Sequence, residues 1–306
     1  MGVVRLPVVV GPTAVGKSAL VLEVAKGLPV TIASADSRQL YAGFDVGTAK
    51  PTLDERRRVP HLGIDVADPA ERWNAARWAD EVTPGIEGAL AAARLPVVVG
   101  GTGLYVRALF APLFKEPPLD PVVRARLAAE LEALPVEVLR ERATLLDPSR
   151  AHLGRTQLLR VIEVATLTGK PLSAWHRDEP REARFTPEYL VVERGPALAA
   201  RIEGRIDAML DAGWLDEVRG LIPRVPADAA AWNATGYREV RDVVEGRRGL
   251  DAVREEVIIR TRQFAKRQRT WFRHQLPMHG VTRVDLETPE GRASARTWWR
   301  QWEEVT

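Results

Sequence analysis

Gly11-Pro12-Thr13-Ala14-Val15-Gly16-Lys17-Ser18 has the G-x-x-x-x-G-K-[ST] spacing of a phosphate loop. Its glycines let the backbone curl until successive N–H groups face an anion, and a helix starting there adds the positive end of its dipole. Lys17 supplies a point charge for terminal phosphates, and the Ser18 hydroxyl suits Mg²⁺. A second candidate is Asp36 in Ser34-Ala35-Asp36-Ser37-Arg38-Gln39, where an apolar run ends in a carboxylate. At the carboxyl end of a strand it would be a base or a metal ligand, and before a short helix a cap. A third apolar run ends in Gly100-Gly101-Thr102-Gly103. Phosphate-loop ATPases and GTPases end one such strand in an aspartate that helps hold Mg²⁺, and here there is none. The pattern predicts a phosphate-loop protein that does not hydrolyse nucleotides, with glycines that admit a substrate to the backbone and a hydroxyl from Thr102.

The elements that must carry these residues follow from apolar spacing. Leu6–Val10, Val30–Ala33 and Leu95–Val99 read as buried strands, while Leu20, Val21, Val24, Ala25 and Leu28 recur at helical spacing. From Leu113 to Pro187 the pattern becomes short amphipathic helices. Asp120-Pro121 caps one that continues through Val123, Leu127 and Leu131, and another carries Leu158, Ile162 and Ala165 and stops at Gly169. Tyr189–Val192 reads as a return to the sheet. The fold class expected is α/β: a P-loop NTPase-like parallel sheet core over 1–112 and 188–306, with a helical insertion over 113–187. After the return, Pro196 opens a helix with Ile202, Ile206, Met209 and Gly213 on one face. A long helix has Leu250, Val253, Val257, Phe264 and Trp271 as its apolar stripe. Arg262, Lys266, Arg269 and Arg273 share one side of it, either a solvated face or a track for a phosphate backbone. Trp298, Trp299 and Trp302 read as packing for a last helix.

Composition bounds the chemistry from outside. The 306 residues include no cysteine, which excludes disulfides, cysteine nucleophiles and thiolate-ligated metals. No apolar run reaches the roughly 20 residues of a membrane span, and the start before Pro7 lacks a signal-peptide layout, so a soluble cytoplasmic protein is expected. A monomer is a separate expectation. A net charge of +3 does not by itself argue for nucleic acid.

Taken together, Gly11–Ser18, Ser34 to Tyr41 (SADSRQLY), Gly47-Thr48-Ala49-Lys50-Pro51, Gly100-Gly101-Thr102-Gly103-Leu104-Tyr105, Gly236-Tyr237-Arg238-Glu239 and Thr261 to Gln268 with Thr270-Trp271 resemble the successive signature segments of the tRNA dimethylallyltransferase family, the bacterial tRNA isopentenyltransferases. They run in order over about 260 residues. The resemblance implies transfer of a dimethylallyl group from dimethylallyl diphosphate to N6 of the adenosine 3′ of the anticodon, with Mg²⁺ as cofactor. It implies a helical insertion that grips the tRNA anticodon stem-loop. Residue by residue, it makes Asp36 the base that takes the amino proton and places Thr102 beside it. It assigns the diphosphate to Gly11, Pro12, Thr13, Ala14, Val15, Gly16, Lys17 and Ser18, with Arg219 as a further cation. Asp36, Ser37, Arg38, Gln39, Thr102 and Arg160 become contacts to tRNA, and Arg262, Lys266 and Arg269 join them if the basic helix follows the RNA backbone.

The chain departs from that pattern in two places. Where the family has Asn-Asp-x-Gln-Arg-x-x-Arg in the insertion, this sequence has Leu153-Gly154-Arg155-Thr156-Gln157-Leu158-Leu159-Arg160. Arg160 alone is retained, and Arg155 is the candidate substitute for the missing charge. Pro60-His61-Leu62-Gly63 also carries a single histidine where two adjacent ones are common. Two other classes share some of these residues: a nucleoside or nucleotide kinase, which would use Asp36 on a hydroxyl, and a non-catalytic RNA-binding phosphate-loop protein.

Overall fold

A computed structural model describes residues 4–111, 119–178, 183–277 and 279–303. Six strands, β1 (Val4–Val10), β2 (Val30–Ala35), β3 (His61–Leu62), β4 (Leu95–Gly100), β5 (Phe185–Glu193) and β6 (Val281–Asp285), form one sheet in the order β3-β2-β4-β1-β5-β6. Every pairing is parallel. Parallel strands are covered on both faces and so read as unbroken apolar runs; β2 and β4 are buried at all six positions each. In such a sheet ligands gather at the carboxyl ends of the strands. Register aligns those ends here, with Val10 beside Gly100 and Gly100 beside Ala35.

Thirteen α-helices are described: α1 (Lys17–Val24), α2 (Leu53–Arg58), α3 (Ala75–Ala91), α4 (Gly103–Phe110), α5 (Pro121–Glu132), α6 (Val136–Leu146), α7 (Arg155–Thr168), α8 (Leu172–Asp178), α9 (Leu198–Asp211), α10 (Trp214–Leu221), α11 (Tyr237–Val244), α12 (Leu250–His274) and α13 (Pro289–Glu303). Contacts divide the chain into two compact units, Met1–Phe110 with Arg184–Thr306, and Ala111–Ala183. The first holds the sheet. On it, α3 buries Trp78, Val82 and Ile86, and the Trp78 indole donates to the Ser34 carbonyl at 3.0 Å, fixing the end of β2. Helix α13 buries Trp298, Trp299 and Trp302, as their spacing predicts.

The second unit is helical, with a core of Leu131, Leu139, Leu158, Val161 and Ile162. Asp120 caps α5 through the amides of Val122 and Val123, and Gly169 ends α7 at φ +69°. The boundary expected at 112–113 lies outside the described residues. The return to the sheet begins at Phe185, four residues before the Tyr189 expected from apolarity, because the outer end of β5 pairs with β1 through Thr186, Pro187 and Glu188. Backbone pairing, not side-chain hydrophobicity, extends the strand there. Helix α1 likewise ends at Val24, short of Leu28. Among the described residues no helix is long and apolar enough to cross a membrane.

Candidate active site

The phosphate loop joins β1 to α1. Gly11 has φ +149°, and a Cβ there would stand 2.2 Å from the Val192 carbonyl oxygen, so only glycine lets the loop leave the sheet between its neighbours. Ala14 and Gly16 are left-handed, at φ 65° and 94°, an alternation that makes successive N–H groups converge. Two arginines hold the loop from outside: Arg194 donates to the Val15 carbonyl at 2.8 Å and Arg201 to that of Ala14 at 3.0 Å. Lys17 Nζ donates to the carbonyls of Gly11 (2.9 Å) and Pro12 (2.7 Å). Burial, with Arg205 nearby, lowers the Lys17 pKa to about 7 against the opposing pull of Asp36.

Asp36 follows β2. Its Oδ1 accepts the Arg38 N–H at 2.8 Å, so it caps a turn and no helix begins there. The Ser37 N–H donates to Thr102 Oγ1 at 3.1 Å, tying the turn to the end of β4. Gln39 accepts from Ser34 Oγ and donates to the carbonyls of Thr48 and Ala49, at 3.0, 3.2 and 3.0 Å. Lys50 reaches Asp45, Asp65 and the Tyr41 carbonyl at 2.5 to 2.6 Å. Glu217 accepts the amides of Asp45 (2.9 Å) and Val46 (2.7 Å) and the Tyr237 hydroxyl (2.6 Å). The segment from 37 to 50 is thus fastened to the core at both ends and its middle.

Two cavities meet at this point. A polar one, of about 90 Å³, is lined by Lys17, Ser18, Gln39, His61, Gly101 and Gln268. A mostly apolar one, of about 80 Å³, is lined by Ile202, Ile206, Met209, Trp214 and Val257. Thr13, Asp36, Arg205 and Phe264 line both. A site that is charged at one end, greasy at the other and supplied with a carboxylate at the junction suits an amphiphile whose reacting atom lies between an anionic head and an apolar tail.

Several expectations need correction. Arg219 does not line either cavity; it is exposed on α10 and pairs with Asp216 one turn earlier. The cation at the junction is Arg205 on α9, which forms no hydrogen bond or ion pair with any described residue and feels Asp36 and Lys17 electrostatically. Sequence reading missed it, although Arg205 stands three residues after Ile202 and four before Met209, in phase with the inward face of α9. Gln268 was missed too. Its side chain accepts the Thr13 N–H at 2.8 Å and donates to the Gly101 carbonyl at 2.9 Å, bridging the phosphate loop to the end of β4. A glutamine in register with Ala265 and Phe272 on a buried face was the available signal, since buried amides find partners.

The glycines at the end of β4 serve the packing of the protein as well as the site, where Gly100 and Gly101 line the polar cavity. A Cβ at Gly100, Gly101 or Gly103 would stand 2.1 to 2.2 Å from Ala35, Gln268 or Trp271 respectively, so they admit β2 and α12. Thr102 holds Ser37 and lines neither cavity, and the Gln39 amide is bonded within the protein. On α12 the buried stripe is Val253, Val257, Ile258, Ala265, Gln268 and Phe272; Leu250 is exposed, and Phe264 and Trp271 are half-buried. Arg262 is ion-paired with Glu203, whereas Lys266, Arg269 and Arg273 have no such partner among the described residues. In the second unit Arg160 sits against Glu163 at 2.5 Å, and Arg124 reaches the same carboxylate. Arg155 donates to the Leu134 and Glu132 carbonyls and so caps the end of α5.

Residues 39–275 match the family model described as IPP transferase. A tRNA dimethylallyltransferase of Symbiobacterium thermophilum is 44% identical over 299 residues, covering 95% of this chain and 92% of its own. One of Sorangium cellulosum is 42% identical over 277 residues, covering 89% and 88%. Among solved structures, the tRNA isopentenylpyrophosphate transferase of Bacillus halodurans aligns over 98% of this chain and 97% of its own at 32% identity and TM-score 0.67. A eukaryotic dimethylallyltransferase acting on tRNA aligns over 96% and 77% at 25% identity and TM-score 0.79.

Proposed function

The chain belongs to the IPP transferase family, and on that premise we propose that it is a tRNA dimethylallyltransferase, moving the five-carbon group of dimethylallyl diphosphate to N6 of the adenosine 3′ of the anticodon. The observation that carries this reading is the meeting of a polar, phosphate-loop cavity and an apolar cavity at Asp36. The diphosphate occupies the first and the prenyl group the second, which leaves the allylic carbon at the junction. As the carbon–oxygen bond breaks, charge accumulates on the departing diphosphate, where the loop amides, Lys17 and Arg205 stabilise it without rearranging. The adenine must leave its stack to reach that carbon. Its amino nitrogen forms the new bond and passes a proton to Asp36, which the turn and Thr102 keep in place.

The donor set fits Mg²⁺. Ser18 and Asp36 offer oxygens in one cavity, and the described residues contain no cluster of three or more acidic, histidine or cysteine side chains that would dehydrate a cation fully. Mg²⁺ commonly rests on one or two protein oxygens together with substrate phosphates and water. Ser18 would hold it, and once bound it would neutralise charge on the diphosphate.

The test is nucleoside mass spectrometry of unmodified tRNA incubated with the protein, dimethylallyl diphosphate and Mg²⁺. N6-isopentenyladenosine is expected at the position 3′ of the anticodon. Unmodified tRNA after incubation, with ATP consumed in favour of a small acceptor, would overturn the reading.

A further inference from the structure

One side of the apolar cavity is a close-packed wall. Trp214, at the start of α10, is 1% exposed, and its ring lies directly against two glycines. A Cβ on Gly47 would stand 2.2 Å from the indole and one on Gly236 2.3 Å from it, so both backbones touch the ring. Tyr237 meets it edge-on at 5.4 Å, and the Tyr237 hydroxyl is itself fixed by Glu217 and the Gly47 amide. Val257 of α12 crowds the same glycine, 3.1 Å from where a Cβ of Gly236 would be. The indole cannot move toward either glycine without displacing its backbone.

From this geometry we infer that Trp214 sets the length of the transferred chain, admitting a five-carbon allylic diphosphate and excluding the ten-carbon homologue, geranyl diphosphate. The inference rests on the reading that the apolar cavity receives the prenyl group. Trp214 and Asp36 line one cavity of about 80 Å³, roughly half the ~150 Å³ that receives a six-carbon ring in an apolar interior. A branched five-carbon group, entering through the junction, fills that space. Five further carbons would have to displace the indole or the backbones of Gly47 and Gly236 packed against it. Close-packed walls resist such insertion, and even one surplus methylene in an apolar pocket changes selectivity by roughly 10- to 200-fold. The chemistry for the longer chain is otherwise unchanged: the C1–oxygen bond breaks, diphosphate departs, C1 bonds to N6, and Asp36 takes the amino proton.

The experiment compares the parent with Trp214→Leu, Trp214→Ala and Trp214→Phe. Binding of dimethylallyl and geranyl diphosphate is measured by calorimetry without RNA, and single-turnover transfer of each group is measured on an anticodon stem-loop. The parent is expected to bind geranyl diphosphate about 100-fold more weakly than dimethylallyl diphosphate. The leucine and alanine variants are expected to narrow that ratio at least about tenfold and to transfer the ten-carbon group. Phenylalanine keeps the wall aromatic and secures a folded comparison should alanine collapse the packing; it is expected to narrow the ratio about threefold. A parent that binds both diphosphates equally, or folded leucine and phenylalanine variants with the parental ratio, overturns the inference. A parent that binds dimethylallyl diphosphate yet prenylates no tRNA overturns the function instead, and the binding ratios still decide the role of Trp214.

Discussion

On the proposed reading Asp36 takes the amino proton, and Asp36→Asn separates its two capacities. The amide preserves a hydrogen-bond acceptor for the Arg38 N–H but cannot accept the amino proton. General-base catalysis contributes about 10² to 10⁴-fold, so the single-turnover transfer rate should fall by that factor with diphosphate affinity nearly unchanged; a rate within about threefold of the parent would reduce Asp36 to a cap. Lys17 makes a different prediction. Its pKa of about 7 in the free protein means that much of it is neutral just above neutrality, and an anion bound beside it favours the ammonium. Binding therefore takes up a proton above pH 7, and dimethylallyl diphosphate affinity should weaken as pH rises from 7 to 9, at most about tenfold per unit. Calorimetry across that range should show a slope that Lys17→Met flattens, leaving the ligand's own titration. The two arginines separate equally cleanly. A hydrogen bond to a charged group is worth about 1.5–3 kcal/mol, so Arg205→Met should raise the Kd for the diphosphate roughly 10- to 100-fold. Arg219→Ala, which removes an exposed pair with Asp216, should leave it unchanged, and the reverse pattern would restore Arg219.

Helix α12 carries the site's second layer on one side and a cationic row on the other. If the row tracks RNA phosphates, Lys266→Ala, Arg269→Ala and Arg273→Ala should each reduce the salt slope of tRNA binding by about one. Arg262→Ala should reduce it less, because Glu203 already neutralises that guanidinium. Equal slopes for all four variants and the parent would make the row a solvated face. The same helix shows how far sequence carries. The phosphate loop was legible because its glycines, lysine and serine are contiguous and flanked by a strand and a helix. Four of the six strands were legible because burial on both faces leaves apolar runs; β3 and β6, at the edges of the sheet and only partly buried, leave none and were not read. Gln268 was not, because its partners, Thr13 and Gly101, are 255 and 167 residues away and join it only through the packing of α12 on the sheet. Arg205 was hidden among 44 basic residues, distinguished only by the phase of α9. The glycines after β4 were legible as necessary but not as to what approaches them, since the approaching atoms belong to Ala35, Gln268 and Trp271.

At the scale of the whole molecule, the chain forms two units with separate cores. Every residue lining the polar and apolar cavities belongs to Met1–Phe110 or Arg184–Thr306. The helices of Ala111–Ala183 close on Leu131, Leu139 and Leu158. Diphosphate binding should therefore survive damage to the second core, whereas a reaction that needs the insertion to hold RNA should not. Leu158, 0% exposed, gives the means: Leu158→Ala leaves a cavity that costs about 2–5 kcal/mol. Hydrogen exchange should quicken within 111–183 and stay at parental rates in β1, β2 and β4, because local opening follows the cooperative unit that was weakened. Dimethylallyl diphosphate affinity should remain within about twofold of the parent, while transfer to tRNA at subsaturating RNA falls at least about tenfold. Exchange that quickens through the sheet as well, together with lost diphosphate affinity, would show one cooperative body in which the insertion supports the catalytic core. Parental transfer to tRNA from a variant whose insertion exchanges freely would mean that the sheet unit alone, with the cations of α12, suffices to hold the RNA.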